Sequence, residues 1–271
     1  MDVNEIRRKI ESEIPKILNE NATIRIRDDA YGHSAGDSIE EYIKKLLLRV
    51  GLEAYYTNEF VEKFFNLVGR DRTKLDNILN DLWWNDLPLY STKQKTNFLN
   101  GKKIGGYQQA GADIVIFYGN DLLKEPEKII LINAKSHNID RKSRAPNIIS
   151  AQRLLEFCNK ILSTPEKLNN TEYWFMGVNH TSIDASTAEI KSIMIKDLFK
   201  INTDKITQIN FDAAIQIQTH IKDMEEIPQS KKDFIKNLSE LFIKTWHRHT
   251  NQKTRKYENL VEEINSKITK I

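Results

Sequence analysis

The chain has 271 residues, 39% hydrophobic and 29% charged, a balance that supports a core and excludes a disordered or low-complexity protein. The formal net charge is only +3, so charge alone argues weakly for an anionic partner, although cations cluster at Lys135 to Arg144 and at Lys244 to Lys256. The single cysteine, Cys158, excludes an internal disulfide framework; no apolar run is long enough to span a bilayer and the N-terminus has no apolar signal region, so a cytoplasmic protein is expected.

Ile6, Ile10, Ile14, Ile17 and Leu18 recur at helical spacing. They predict an amphipathic first helix that Pro15 kinks or divides. TIRIRDDAYGHSAGDS reads as a polar loop. Asp37 or Ser38 is then expected to cap a helix with Ile39, Ile43, Leu46, Leu47 and Val50 on one face, ended by Gly51. Residues 57–85 are again helical in pattern, with Trp83 and Trp84 as core or interface anchors. KQKTNFLNGKKIGGYQQAG is a basic, glycine-containing connection.

From Gly111 to Cys158 the chain reads as strand, short connection, strand, polar loop and helix. GADIVIF is nearly continuous in apolar character, which suits a strand buried on both faces, with Asp113 at its start. IILINAK is the second strand, and side-chain alternation sends Asn133 and Lys135 to one face and Ala134 to the other. Asn147, just after Pro146, either caps the helix that follows or turns outward to a ligand. Cys158 shares helical spacing with Leu154, Leu155 and Leu162 and reads as core. YWFMGVN and KITQINF are further strands. AAIQIQTHI alternates, with Ile215, Ile217, Thr219 and Ile221 on one side and Gln216, Gln218 and His220 on the other. Residues 230–268 return to helix. The simplest organisation is one α/β domain with helical flanks.

A carboxylate on one strand facing a polar-x-Lys pair on the next is a kit for phosphodiester hydrolysis. Carboxylate, side-chain and main-chain oxygens suit Mg²⁺, a hard cation, and a lysine balances charge in the transition state. Here those parts are Asp113, the Asn133 to Lys135 strand end with the Ala134 carbonyl, and Glu40 as an outer-shell carboxylate. Spacing alone is weak support, because the same residues make an ordinary hairpin with a turn-forming Asp and an exposed Lys. The histidines His33 and His247 to His249 lack cysteine partners and paired spacing, so they do not read as zinc ligands. His137 and His180 read as DNA-facing. WHRHTNQKTRK is either a phosphate-binding stretch or a solvated helix face.

Four segments resemble the PD-(D/E)xK nucleases, and within them the HincII (HindII) type II restriction endonucleases: HSAGDSIEEYIKKLL with Gly36 and Glu40, GADIVIF, INAKSHNIDRKSRAPNIISA, and NFDAAIQIQTHIKD. The resemblance implies a restriction-endonuclease-like α/β core, a mixed central sheet flanked by helices, in one domain over residues 1–271. It implies a homodimer that cuts double-stranded DNA at a short palindrome with Mg²⁺, leaving a 5′-phosphate and a 3′-hydroxyl. A GTYRAC-like site, a blunt cut and a cognate DNA methyltransferase in the host follow from the same likeness. By position, Asp113 binds the metal and Lys135 acts on the attacking water. Asn147, Asn210 and Ala213 match base-reading positions, Arg144 stands where the family inserts a glutamine between bases, and Gln108 and Gln109 lie near a glutamine that approaches the minor groove. The departure is Asn133, where the family has Asp as its second acidic ligand. Three readings fit it: an inactivating replacement, a natural variant that still cuts, or a DNA-binding relative that does not cut. A non-specific repair nuclease is the more distant alternative.

Overall fold

The structure is a computed structural model that describes residues 2–20, 22–25, 34–81, 87, 89–106, 111–140, 147–206, 208–211 and 215–268, with backbone alone at 34–37, 81, 208 and 264–268. Trp83, Trp84, His33, Gln108, Gln109, Arg144 and Ala213 fall outside the described residues.

In chain order the elements are α1 (Val3–Glu20), β1 (Thr23–Arg25), α2 (Ser34–Arg49), β2 (Ala54–Tyr56), α3 (Thr57–Val68), α4 (Arg72–Asp81), α5 (Thr92–Leu99), β3 (Ile114–Tyr118) and β4 (Lys128–Asn138). There follow β5 (Asn147–Ser150), α6 (Ala151–Ile161), α7 (Pro165–Asn170), β6 (Thr171–Ser182), β7 (Thr187–Asp197), β8 (Gln208–Asn210), β9 (Gln216–Gln218) and α8 (Lys231–Ile268).

Several expectations change. Pro15 does not divide the first helix, which runs unbroken through it. Neither Asp37 nor Ser38 is the cap of α2, which already runs at Ser34; instead the Ser38 hydroxyl donates to the Arg25 carbonyl at 2.5 Å and ties α2 to β1. The stretch expected to be loop contains β1, too short to register as a pattern. The basic connection contains α5, started by a capping box in which Ser91 accepts from the Gln94 N–H and the Gln94 side chain accepts from the Ser91 N–H. Asn147 does not cap α6: Ser150 does, accepting from the Arg153 N–H, and Asn147 opens β5.

Six strands form a mixed sheet in the order β1-β7-β6-β4-β3-β2, in which β4 and β6 are parallel and the other neighbours antiparallel. The β4–β6 connection is the long crossover that parallel pairing requires, and it carries β5, α6 and α7. A second, three-stranded sheet has the order β5-β9-β8.

The main sheet separates two apolar layers. On one face Val115, Phe117, Leu131 and Phe175 meet α3 through Phe60 and Phe64, and α6 through Leu154 and Phe157. On the other, Ile114, Ile116, Ile130 and Ile132 meet α1 and α2 through Ile6, Ile10, Ile39 and Ile43. Each such fully buried apolar side chain contributes roughly 1.5–3 kcal/mol, which is why the central strands are apolar on both faces. The small sheet lays Ile209 and Ile217 on the first of these layers.

α8 is anchored at its first residue. Lys231 Nζ donates to the carbonyls of Leu168 (2.9 Å) and Thr171 (2.7 Å) and to Glu172 Oε1 (2.9 Å), so all three of its donors are used. Burial pulls the Lys231 ammonium below the usual lysine range, against the pull of Glu172. No helix among the described residues is long and apolar enough to cross a membrane.

Candidate active site and nucleic-acid interface

β4 outruns β3. The β3 pairing ends at Ile114 opposite Ile132, whereas β4 stays paired with β6 as far as Asn138. The candidate residues sit where this overhang begins. Asn133 and Lys135 continue the face of Ile129 and Leu131, while Ala134 packs with the opposite layer, as side-chain alternation requires.

Asp113 is held by its neighbours. Its N–H donates to the Ile132 carbonyl at 2.9 Å, and its Oδ2 accepts from the Ala134 N–H at 2.7 Å. Three successive carbonyls around it are also bound. Gly111 accepts from the Tyr173 hydroxyl, Ala112 from Thr57 Oγ1 (2.6 Å), and Asp113 from the Thr57 N–H (3.1 Å). Burial pushes the Asp113 carboxyl above the usual carboxylate range, opposed by the Lys135 ammonium and the Ala134 N–H.

Asn133 is 8% exposed. Its Nδ2 donates to the Tyr173 hydroxyl at 3.0 Å, which points Oδ1 away from that contact. Asn133 Oδ1 is buried and has no hydrogen-bond partner among the described residues, an arrangement that costs free energy unless something else takes the lone pairs. The Tyr173 hydroxyl is raised in pKa by burial, against the Asn133 hydrogen bond, so it stays a neutral donor to Gly111.

An orphaned amide oxygen, an adjacent carboxylate and a nearby backbone edge are oxygen donors of the kind a hard cation takes. The Ala134 N–H points to the β3 side, and a strand residue's carbonyl shares the edge of its N–H. The residues present thus fit a divalent ion, although they are not an all-acid set. Among the described residues no cluster of three His, Cys, Asp or Glu occurs that could hold a metal. Glu40 stands half-buried on α2, whose Ile39 and Ile43 share the layer of Ala134 rather than that of Asn133.

Asn147 and Asn210 come together on the small sheet. Asn147 pairs with Gln218 across β5 and β9, and Asn210 pairs with Gln216 across β8 and β9. Since Ile149, Ile217 and Ile209 pair on the inner side, the other side presents the amides of Asn147, Gln216, Gln218 and Asn210. Gln218 Nε2 donates to Asn147 Oδ1 at 2.8 Å. Gln216 and Gln218 are additions to the candidate site; the alternation of IQIQ was their only signal. Thr57 and Tyr173 are further additions.

The two sheets meet beside Lys135. Lys135 pairs with Gly177 of β6, and a Cβ on Gly177 would come within 3.0 Å of Ile221 side-chain atoms, so the turn at Ile221–Asp223 rests on bare backbone. His137 and His220 pack edge to face next to it, ring centroids 4.7 Å apart. Burial, His220 and Lys222 lower the His137 pKa, against Asp223. His180, expected to face DNA, is instead buried at 3% exposure, paired with Ile190 of β7 at the register shift between Asn179 and His180. Cys158 is core as expected, its thiol pushed up to about 12 by burial.

A carboxylate, an amide and a lysine at the open end of a mixed sheet, with a second sheet of amides alongside, define a candidate hydrolase centre next to a recognition surface. Residues 29–265 match the family model described as restriction endonuclease HincII, and the chain belongs to that family. Its relatives include the type II restriction enzyme HindII of Haemophilus influenzae strain Rd, 28% identical over 207 residues, covering 72% of this chain and 73% of the relative. The type II restriction enzyme HincII of Haemophilus influenzae is 27% identical over the same extent. Among solved structures, NlaIV restriction endonuclease aligns over 93% of this chain and 90% of its own at a TM-score of 0.41 and 14% identity.

Proposed function

We propose that this chain is a type II DNA endonuclease that hydrolyses double-stranded DNA at a short palindromic site with Mg²⁺, as a two-fold homodimer in the cytoplasm beside a cognate methyltransferase. The observation that carries this reading is the grouping of Asp113, Asn133 and Lys135 at the strand overhang, with an unpartnered oxygen on Asn133. In this reading Asp113, Asn133 Oδ1 and the Ala134 carbonyl hold the cation, with Glu40 as an outer carboxylate. The bound cation supplies Lewis-acid polarisation of the phosphate and lowers the pKa of water.

The protein's own groups do the rest. Lys135 orients the attacking water and stabilises the charge that develops on the phosphoryl oxygens. Water adds to phosphorus and the bond to the 3′-oxygen breaks, leaving a 5′-phosphate and a 3′-hydroxyl. Asn147 and Asn210, with Gln108, Gln109, Arg144 and Ala213 from the resemblance, contact DNA; an amide both donates and accepts, as a base edge in the major groove requires. Two copies about a two-fold axis match a palindrome and place one centre on each strand.

A second reading is a sequence-specific DNA-binding protein that no longer cuts. The neutral amide at Asn133 favours it, because the site has one negative charge fewer than an Asp would provide. Plasmid digestion with Mg²⁺, for the unsubstituted chain beside Asn133→Asp, separates these. Discrete bands that strengthen in Asn133→Asp are expected. No cutting by either form refutes the nuclease reading, with a specific gel shift then supporting the binding protein; a smear indicates a non-specific nuclease.

A further inference from the structure

Two histidines meet where the two sheets touch, and each stands close to a working group. His137 follows Lys135 by two residues on β4, so the strand sends both side chains to the same face. His220 follows Gln218, the glutamine that donates to Asn147, by two residues, about 7 Å of extended chain at most. The Asp223 N–H donates to the His220 carbonyl at 2.9 Å and closes the turn behind it. One ring therefore belongs to the strand of the lysine and the other to the chain leaving the amide surface. They pack at 66°, with centroids 4.7 Å apart.

The contact suits neutral rings. In an edge-to-face pair the positive edge of one ring meets the negative face of the other, and a proton on the ring that offers its face removes that attraction. His220 Nδ1 is buried with no hydrogen-bond partner among the described residues. A neutral imidazole needs an acceptor for one nitrogen only, but an imidazolium donates from both. A cavity of about 20 Å³ adjoins the rings, lined by Lys135, Ser136, His137, Asn179, His220 and Lys222 among others, and it has room for one water. The charged groups facing the pair among the described residues are Lys135 of β4 and Lys222 and Asp223 of the turn, whereas β5, β6 and β7 bring only uncharged side chains to the cavity. Burial, His220 and Lys222 hold His137 below the ordinary histidine value, against Asp223.

We propose that the contact of His137 with His220 is the positioning link by which base reading on the small sheet places Lys135, and that a proton on the pair undoes it. Displacement of β9 by a wrong base moves His220, and through the rings moves β4 at the lysine. The inference rests on the nuclease reading above and adds to it the residues that join recognition to cleavage and the condition under which they do so.

The test is the ratio of kcat/KM at the preferred DNA site to that at a single-base-pair variant, followed from about pH 8 to about pH 5.5. It is run on whichever of the full-length unsubstituted chain and Asn133→Asp cuts DNA. Titration of Lys135 or of the attacking water affects both sites alike and cancels in the ratio. The neutral pair is present at high pH, so the ratio is expected to fall several-fold as the pH drops below about 6.5. His137→Phe with His220→Phe keeps two rings and has no proton to gain; it is expected to retain most of the ratio and to hold it across the range. His220→Ala removes the contact and is expected to give a low ratio at every pH, through kcat more than KM. A parent ratio that ignores pH, a Phe pair that follows the parent's fall, or a folded His220→Ala variant with the parent's ratio overturns the proposal. If neither parent form cuts DNA at any pH, the nuclease reading itself fails and takes this inference with it.

Discussion

At the residue scale the chemistry is set by hydrogen bonds between distant parts of the chain. Tyr173 is the hub: it accepts from Asn133 and donates to Gly111. A carboxylate at 133 offers no donor in place of Nδ2, so in Asn133→Asp the Tyr173 hydroxyl turns to it and releases Gly111. Tyr173→Phe in the otherwise unsubstituted chain leaves both the Asn133 amide and the Gly111 carbonyl without this partner. It is expected to destabilise the fold by about 1–3 kcal/mol, read as a lower urea midpoint at unchanged slope; an unchanged midpoint would contradict the role. Asp113, Asn133 and Lys135 could be placed from the sequence because strand alternation is local. Thr57 and Tyr173 could not, because their partners lie 55 and 62 residues away and no local pattern encodes such a bond.

At the scale of elements, the small sheet converts a short alternating run into a surface with apolar and amide sides. IQIQ announced the alternation, but not that Asn147 would join it. Asn147 lies near Gln218 only through a strand pairing between residues 71 apart. The hydrogen bond commits one lone pair of Asn147 Oδ1, while its Nδ2 donors have no partner among the described residues. Gln218→Ala is therefore expected to change stability by less than about 0.5 kcal/mol, as exposed substitutions do. Discrimination between the preferred DNA site and single-base variants should fall by about 1 kcal/mol. Competition gel shifts measure this, and Asn147→Ala with Gln218→Ala should be no worse than Asn147→Ala alone if the glutamine acts through Asn147. The missed α5 teaches the complementary lesson. Its KQKTNFL carries little apolar periodicity, and the capping pair Ser91 and Gln94 was its best signal.

At the scale of the whole molecule, the sequence indicated an α/β chain with helical flanks, but not the sheet order, which depends on pairings such as that of β1 with β7. One ion pair crosses the same span. Arg7 of α1 donates to both Glu226 oxygens, at 2.8 and 2.9 Å, and Glu226 also accepts from the Asp197 N–H at 2.7 Å. Burial works to raise the Glu226 carboxyl, but Arg7 and the Asp197 N–H together hold it below the usual range. A depressed carboxylate stabilises the fold above its unfolded pKa, about 4.3, and that contribution disappears as the pH falls through the folded value. Glu226→Gln is thus expected to lose about 1–3 kcal/mol at neutral pH and to show a smaller further loss below about pH 4.3 than the parent. Parallel denaturation curves from pH 7 to 3 test it; curves offset equally at all pH values would refute it. The neighbouring Asp197, raised by burial and by Glu172, titrates in the opposite sense and is common to both proteins.

The contact of Ile221 with Gly177 then has a consequence for how the molecule is measured out. Gly177 is the strand partner of Lys135, and Ile221 follows β9 by three residues. The separation between the lysine and the amide surface is gauged there by the thickness of an unsubstituted backbone. A single methyl group inserted at that point would act as a shim, tilting one sheet against the other. Under the proposed function, the bond broken and the bases chosen would be kept in step by an absent side chain.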